Sequence, residues 1–198
     1  MKLQFIVPGL ALLILVVATA HFPYFPGDIY IARLIQAIIP NTGHWAEFIS
    51  SFASFPSYFI LLAFSILFTF ILTRNWLLVV DAILSFVGIL IIEKILRRII
   101  FQPRPSECLI QVYDVFSGSS FPSGTALMYG STFGFVLILA LMKQTRYAKK
   151  AIVLMVLSFL MLILAFLARI ILGAHWPSDM LLSYAVASAW IYLILRFF

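Results

Sequence analysis

The chain has 198 residues, of which 64% are hydrophobic and only 10% charged, and its mean hydropathy is +1.14; that usage excludes an ordinary soluble domain and marks an integral membrane protein. Its formal net charge of +6 comes from thirteen Lys and Arg against seven Asp and Glu, and no basic stripe with interleaved aromatics argues for nucleic acid as a partner. One cysteine, Cys108, makes no intrachain disulfide, and no Cys/His cluster suggests zinc.

Lys2 precedes an apolar run from Leu3 to Ala20, long enough to cross a hydrocarbon core of about 30 Å. Ala18-Thr19-Ala20 has the small-residue pattern of a signal-peptidase site, so a cleaved signal competes with a retained first helix. The run is long for a signal's core, which favours retention. His21 to Gly27 breaks the helix. Asp28 could cap a short amphipathic segment carrying Ile31, Leu34, Ile35 and Ile38, expected to lie in the membrane interface.

A second span runs from His44 to about Leu72, with Pro56 kinking it or delaying its start. Trp76 to about Ile100 is the third span, and it becomes cationic at its far end. Residues 101–121 form the longest polar loop, after which Pro122 opens a fourth span to about Met142. The 143–150 loop holds four basic residues and no acidic one. Ala151 to Leu172 and Pro177 to Leu195 complete six spans. The expected fold is therefore an all-α bundle of six transmembrane helices with a short interfacial helix after the first, forming a single domain over residues 1–198.

Short-loop charge sets the orientation. The N-terminus, Arg74, the 143–150 loop and Arg196 fall on one side, expected to be cytoplasmic; the 101–121 and 173–176 loops, with His21 and His44, fall on the other. Trp45, Trp76 and Trp176 fit interfacial anchors. Asp81, near Arg74, is expected to be paired or solvated.

Three segments converge on the outer side. In Ala168 to Asp179, Arg169 lies at the end of one apolar helix, and Pro177 suits the first turn of the next. His175 then stands at that helix's mouth and Asp179 in its first turn, where a carboxylate can fix the imidazole tautomer and leave one nitrogen free. In Arg97 to Pro105, Arg97 and Arg104 supply guanidinium groups suited to phosphate oxygens. In Phe121 to Thr125, Ser123 and Gly124 open a helix whose free N–H groups favour an anion.

These segments resemble the signature of the type 2 phosphatidic acid phosphatase family, membrane relatives of the vanadium haloperoxidases, whose pattern is Lys-x6-Arg-Pro, Pro-Ser-Gly-His and Ser-Arg-x5-His-x3-Asp. Arg169, His175 and Asp179 keep the third spacing, with Ala168 in place of the serine. Arg97 and Arg104 keep the first with an arginine for the lysine, and Lys94 lies one turn earlier. Thr125 replaces the second motif's histidine. The resemblance covers about residues 76–195.

It implies a phosphatase in which His175 attacks phosphorus to give a phosphohistidine and Asp179 holds its ring. Arg97, Arg104, Arg169, Ser123, Gly124 and Thr125 would surround the phosphoryl oxygens. No metal or cofactor is called for, because cationic side chains supply the charge. The substrate would be a phospholipid or polyprenyl phosphate, with undecaprenyl diphosphate the best guess, and the site would face outward from the inner (cytoplasmic) membrane.

Plainer readings stand beside these. Arg97, Arg98 and Lys94 could be residues snorkelling to a membrane surface, and Glu93 could pair with Arg97 at i,i+4. Ser123 could be no more than a helix cap, and His175 with Asp179 an ordinary helix-entry hydrogen bond. Two other functions use the same residues: a phosphotransferase acting on a second lipid such as lipid A, and a lipid-phosphate binder or transporter without catalysis.

Overall fold

A computed structural model describes residues 12, 14–19, 21–42, 44–113, 116–142 and 148–197. Most of the first expected span and residues 143–147 of the basic loop lie outside them. The described residues are helical, with no strand. In chain order the helices are α1 (Asp28–Ile38), α2 (Trp45–Ser51), α3 (Tyr58–Thr73), α4 (Trp76–Ile99), α5 (Gly124–Leu141), α6 (Ala148–Ile171) and α7 (Pro177–Phe197).

Four of these, α4 to α7, are long and apolar enough to cross a membrane, and α3 is a shorter apolar helix of 16 residues. The expected span from 44 to 72 is thus two helices. Residues 52–57 turn between them, with a cis bond before Pro56. Pro56 removes a backbone donor, and Ser50, Ser51 and Ser54 belong to the residue types that compete for helical backbone groups; Ser51 Oγ donates to Phe48 O at 2.7 Å.

The long helices are sorted by what they turn outward. On α4, Val80, Leu84, Val87, Ile91 and Ile95 are exposed, while Ala82, Ser85, Phe86 and Ile89 are buried. On α3 the inward face includes Ser65 and Thr69. Aliphatic side chains facing out, with small and hydroxyl residues packed inward beside Phe86 and Ile89, suit helices surrounded by lipid.

α5 is the central helix, buried on every side from Gly124 to Val136. A π-helical turn at Gly130–Gly134 interrupts it, and a side chain at Gly130 would press Ala187 of α7 at 2.8 Å. α7 also packs on α4, where Trp190 lies on Gly88 and its Nε1 donates to Ser85 O at 3.2 Å.

The expected amphipathic helix forms as α1, with Ile31, Leu34 and Ile38 exposed. Its opposite face is polar and buried. Gln36 Nε2 donates to the carbonyls of Gln111, Ile170 and Ile171 at 2.8, 3.1 and 3.2 Å, and Asp28 accepts from both N and Oγ of Ser178 at 2.9 and 2.6 Å. α1 therefore ties together the end of α6, the start of α7 and the 101–121 loop.

Candidate active site

The α6 to α7 junction is built from local caps. Gly173 has φ of 66°, its N–H bonds Ile170 O at 3.0 Å, and Ala174 N bonds Arg169 O at 3.0 Å. This pair of bonds with a left-handed glycine is a Schellman motif. Glycine is required twice over, because a side chain there would strike the backbone of Gln111 and Val112. The turn delivers His175 immediately before α7. Asp179, in the third helical position, reaches back to accept from Trp176 N at 3.1 Å, half of a capping box.

The 101–121 loop closes over this junction. Its ends are joined by Ser120 N to Gln102 O at 2.8 Å and by Gln102 N to Ser119 Oγ at 3.0 Å. Trp176 Nε1 donates to Pro103 O at 3.2 Å. Arg104 then donates from Nε to Gly118 O at 3.1 Å and from Nη1 to Ala174 O at 2.6 Å, bracing the residue next to His175.

A cavity of about 470 Å³ opens between α2, α4, α5 and α6. Arg97, Arg104, Arg169, His175, Gly124 and Thr125 all line it. Six of the eight residues singled out in the sequence thus share one wall. Lys94 and Arg98 are exposed and line no part of it, so of the three cations expected on one face of α4 only Arg97 reaches the cavity.

Ser123 and Asp179 lie behind the wall. Ser123 is fully buried, its Oγ accepts from Ala126 N at 3.3 Å, and its own N–H bonds Ser183 Oγ at 2.9 Å. It caps α5, whose N-terminal N–H groups open at Gly124. Asp179 Oδ2 accepts from Ser120 Oγ and from Trp176 N. That oxygen is 3.9 Å from His175 Nδ1, beyond hydrogen-bonding distance. In this structure Asp179 fixes the turn that carries the histidine; the direct bond to the ring needs a closure of about 1 Å, and such bonds commonly tighten only when substrate is bound.

The electrostatics favour an anion. Phe116, on the loop, has the guanidinium carbons of Arg169 and Arg104 at 4.9 and 5.6 Å from its ring centre, and it keeps the two cations in place by cation–π attraction. Burial, and then the charge of Arg97, lower the Arg104 guanidinium to about 10, so it stays cationic near neutral pH. His175 is held well below its usual value, first by burial and then by Arg169, Arg104 and Arg97. Its ring is neutral at pH 7 and keeps a lone pair available for attack. Three guanidinium groups face one cavity, with Glu93 offsetting part of the charge of Arg97, and a phosphate placed among them relieves the repulsion that remains.

Five residues that matter here escaped the sequence reading as site residues. Phe116 and Ser120 sit in a loop without periodicity, and Asp28 and Gln36 act across more than 70 positions of sequence. Glu93 did carry a signal, its i,i+4 spacing to Arg97. The pair forms, with Arg97 Nε 2.9 Å from Glu93 Oε1, and it forms inside the cavity. His44 is exposed at the rim, 3.7 Å from Glu47. Asp81 is buried and, among the described residues, makes no ion pair, while Arg74 lies over the Phe70 ring at 5.0 Å. No cluster of three metal-ligating side chains occurs among the described residues.

Comparison with known proteins agrees with the motifs. The family model described as the PAP2 superfamily matches residues 78–198. No curated protein matches the chain. A crystal structure described as the first transmembrane PAP2 type phosphatidylglycerolphosphate phosphatase from Bacillus subtilis superposes with a TM-score of 0.73 at 18% identity, over 97% of this chain and 94% of that one. At that identity the likeness speaks for the fold. With its three motifs gathered at one end of a bundle that follows a solved PAP2-type membrane enzyme almost end to end, this multi-pass membrane chain belongs to the PAP2 superfamily.

Proposed function

We propose that this protein hydrolyses a lipid phosphate or diphosphate, with His175 as nucleophile and a phosphohistidine as intermediate. One observation carries the reading: a buried histidine and three arginines, drawn from α4, the 101–121 loop, α6 and the α6–α7 turn, line a single cavity. The His175 ring nitrogen forms a bond to phosphorus as the leaving oxygen departs. Arg97, Arg104, Arg169 and the Gly124 N–H stabilise the equatorial oxygens of the transition state. Asp179 holds the turn that aims the ring. The site faces the outer leaflet of the inner membrane, following the charge of the loops.

Thr125 points to the class of headgroup. A hydroxyl donates a hydrogen bond but is no acid near neutral pH, and an alkoxide leaving from a monoester needs a proton. A phosphate leaving from a diphosphate is already a stable anion. The favoured substrate is therefore a prenyl diphosphate such as undecaprenyl diphosphate.

The test is phosphate release by purified protein from prenyl diphosphates, phosphatidylglycerol phosphate, phosphatidate and lipid A, with His175→Ala and Arg169→Ala as controls. Both variants should remain folded and lose turnover. Release at the wild-type rate by His175→Ala would remove the nucleophile. Binding without release would make the protein a lipid-phosphate carrier, and transfer to an added lipid a phosphotransferase.

A further inference from the structure

The cavity holds a group that the phosphate cage does not account for. Glu93 lies on α4 one turn before Arg97, its side chain 17% exposed, and it lines the cavity with Gly124, Thr125 and His175. Any side chain at Gly124 would strike Glu93 Oε1, so the carboxylate stands against the first residue of α5, where that helix opens its N–H groups. Arg97 Nε takes Oε1 at 2.9 Å, and no described residue bonds Oε2. A carboxylate in the wall of an anion site repels the anion. A site built only to hold phosphate would do better with a neutral residue there.

What a carboxylate adds is the capacity to accept a proton, and the other groups in the cavity are less suited to that task. The three arginines have no acceptor. His175 is committed to phosphorus once the intermediate forms. The Tyr113 hydroxyl donates to Gln111 Oε1 at 2.9 Å, and Thr125 is a hydroxyl. Glu47 accepts from Asn41 Nδ2 at 3.0 Å, and that bond above all holds its carboxyl below the usual range, which makes it a weak base at the rim. Asp179 is behind the wall with Oδ2 occupied.

We propose that Glu93 is the base that activates water in the second half of the reaction. The proposal rests on the phosphatase reading above. The water oxygen bonds to phosphorus as its proton passes to the Glu93 carboxylate, and the electrons of the P–N bond return to the His175 ring. Inorganic phosphate is released, and Glu93 gives its proton to solvent. Gly124 keeps the carboxylate close to the site by leaving it room, and Arg97 holds Oε1 so that Oε2 faces the water.

The experiment uses full-length protein in detergent and a prenyl diphosphate labelled in its terminal phosphate, quenched in alkali, where phosphohistidine survives. Glu93→Gln keeps an oxygen to accept from Arg97, and retained binding of inorganic vanadate reports an intact cage. Its steady-state turnover should fall about 10²–10⁴-fold while label accumulates on the protein. Glu93→Asp should recover part of the rate, and His175→Ala should carry no label. A Glu93→Gln variant within tenfold of wild type, or one that is slow without labelled protein, overturns the role of Glu93 alone. A wild type that releases no phosphate from any substrate overturns the phosphatase reading and this role with it.

Discussion

Removing the Asp28 carboxylate should damage a site that it never touches. Asp28 is 3% exposed and accepts three hydrogen bonds, from Phe25 N at 2.8 Å, Ser178 N at 2.9 Å and Ser178 Oγ at 2.6 Å. The two from Ser178 act as a cap for α7 supplied by another helix. Asp28→Ala leaves the part-buried N–H groups of Phe25 and Ser178 without this partner, at about 1–3 kcal/mol, and removes a cap worth about 0.5–2 kcal/mol. These overlap, and the expected loss is about 2–4 kcal/mol. Asp28→Asn retains an acceptor oxygen and should cost about 1 kcal/mol, as should Ser178→Ala, which removes only the hydroxyl. Unfolding in detergent micelles gives the ranking, and the double variant should fall short of the sum because the two residues share their bonds. Since Asp179 and Trp176 lie beside Ser178, a displaced first turn of α7 misplaces His175. A shift of 1 Å lowers kcat by up to about 10²-fold. A loss in Asp28→Ala below about 0.5 kcal/mol, or equal losses in Asp28→Ala and Asp28→Asn, would refute the account.

The depressed His175 makes a signed statement about pH. Its ring stays neutral in the fold while the unfolded chain protonates near 6.5, so its contribution to stability is complete above about pH 6.5 and falls as pH drops below it, by at most about 1.4 kcal/mol per unit. Unfolding at pH 7.5 and 5.5 should show this slope in wild type and a shallower one in His175→Ala, and the acid limb of kcat/KM should lie below 6.5; equal slopes would refute it. Thr125→His, placing an imidazole on the cavity wall, should raise activity on phosphatidate far more than on a prenyl diphosphate. Equal gains, or a wild type already faster on phosphatidate, would reject the diphosphate preference. For sidedness, a membrane-impermeant thiol reagent should label exposed Cys108 from outside intact cells and spare Gln144→Cys; the reverse labelling would invert the topology.

What the sequence revealed followed from how local each device is. The α6 to α7 junction could be read because Gly173, Pro177 and Asp179 act within a few residues of one another, and their caps fix where Arg169 and His175 fall. Arg97 was separable from Lys94 and Arg98 only by motif spacing, since all three are basic residues at a span's end; packing then turned one inward and left two exposed. α1 shows its helix in the sequence but only half of its role. Its apolar stripe marks the outward face, and Gln36 and Asp28 face inward because in a membrane protein the polar partners are within the protein. Nothing local announces a bond between Asp28 and Ser178, 150 positions apart. In the second span Pro56 delays the long helix, which begins only at Tyr58, and the serines before it leave 45–51 as a separate short helix.

The shortness of α3 carries a consequence for how a lipid arrives. Sixteen residues rise about 24 Å, some 6 Å less than the hydrocarbon core of about 30 Å. At the α2 end of this short helix, residues 52–57 turn and Ser50, Ser51 and Ser54 wall the cavity. Bilayers meet such a mismatch by thinning locally. Such thinning would draw the headgroup layer down beside the serines and let a lipid phosphate reach the arginines by lateral diffusion, with its chains still dissolved in the leaflet. Lengthening α3 by a turn would lift that layer away and make delivery, rather than chemistry, the slow step.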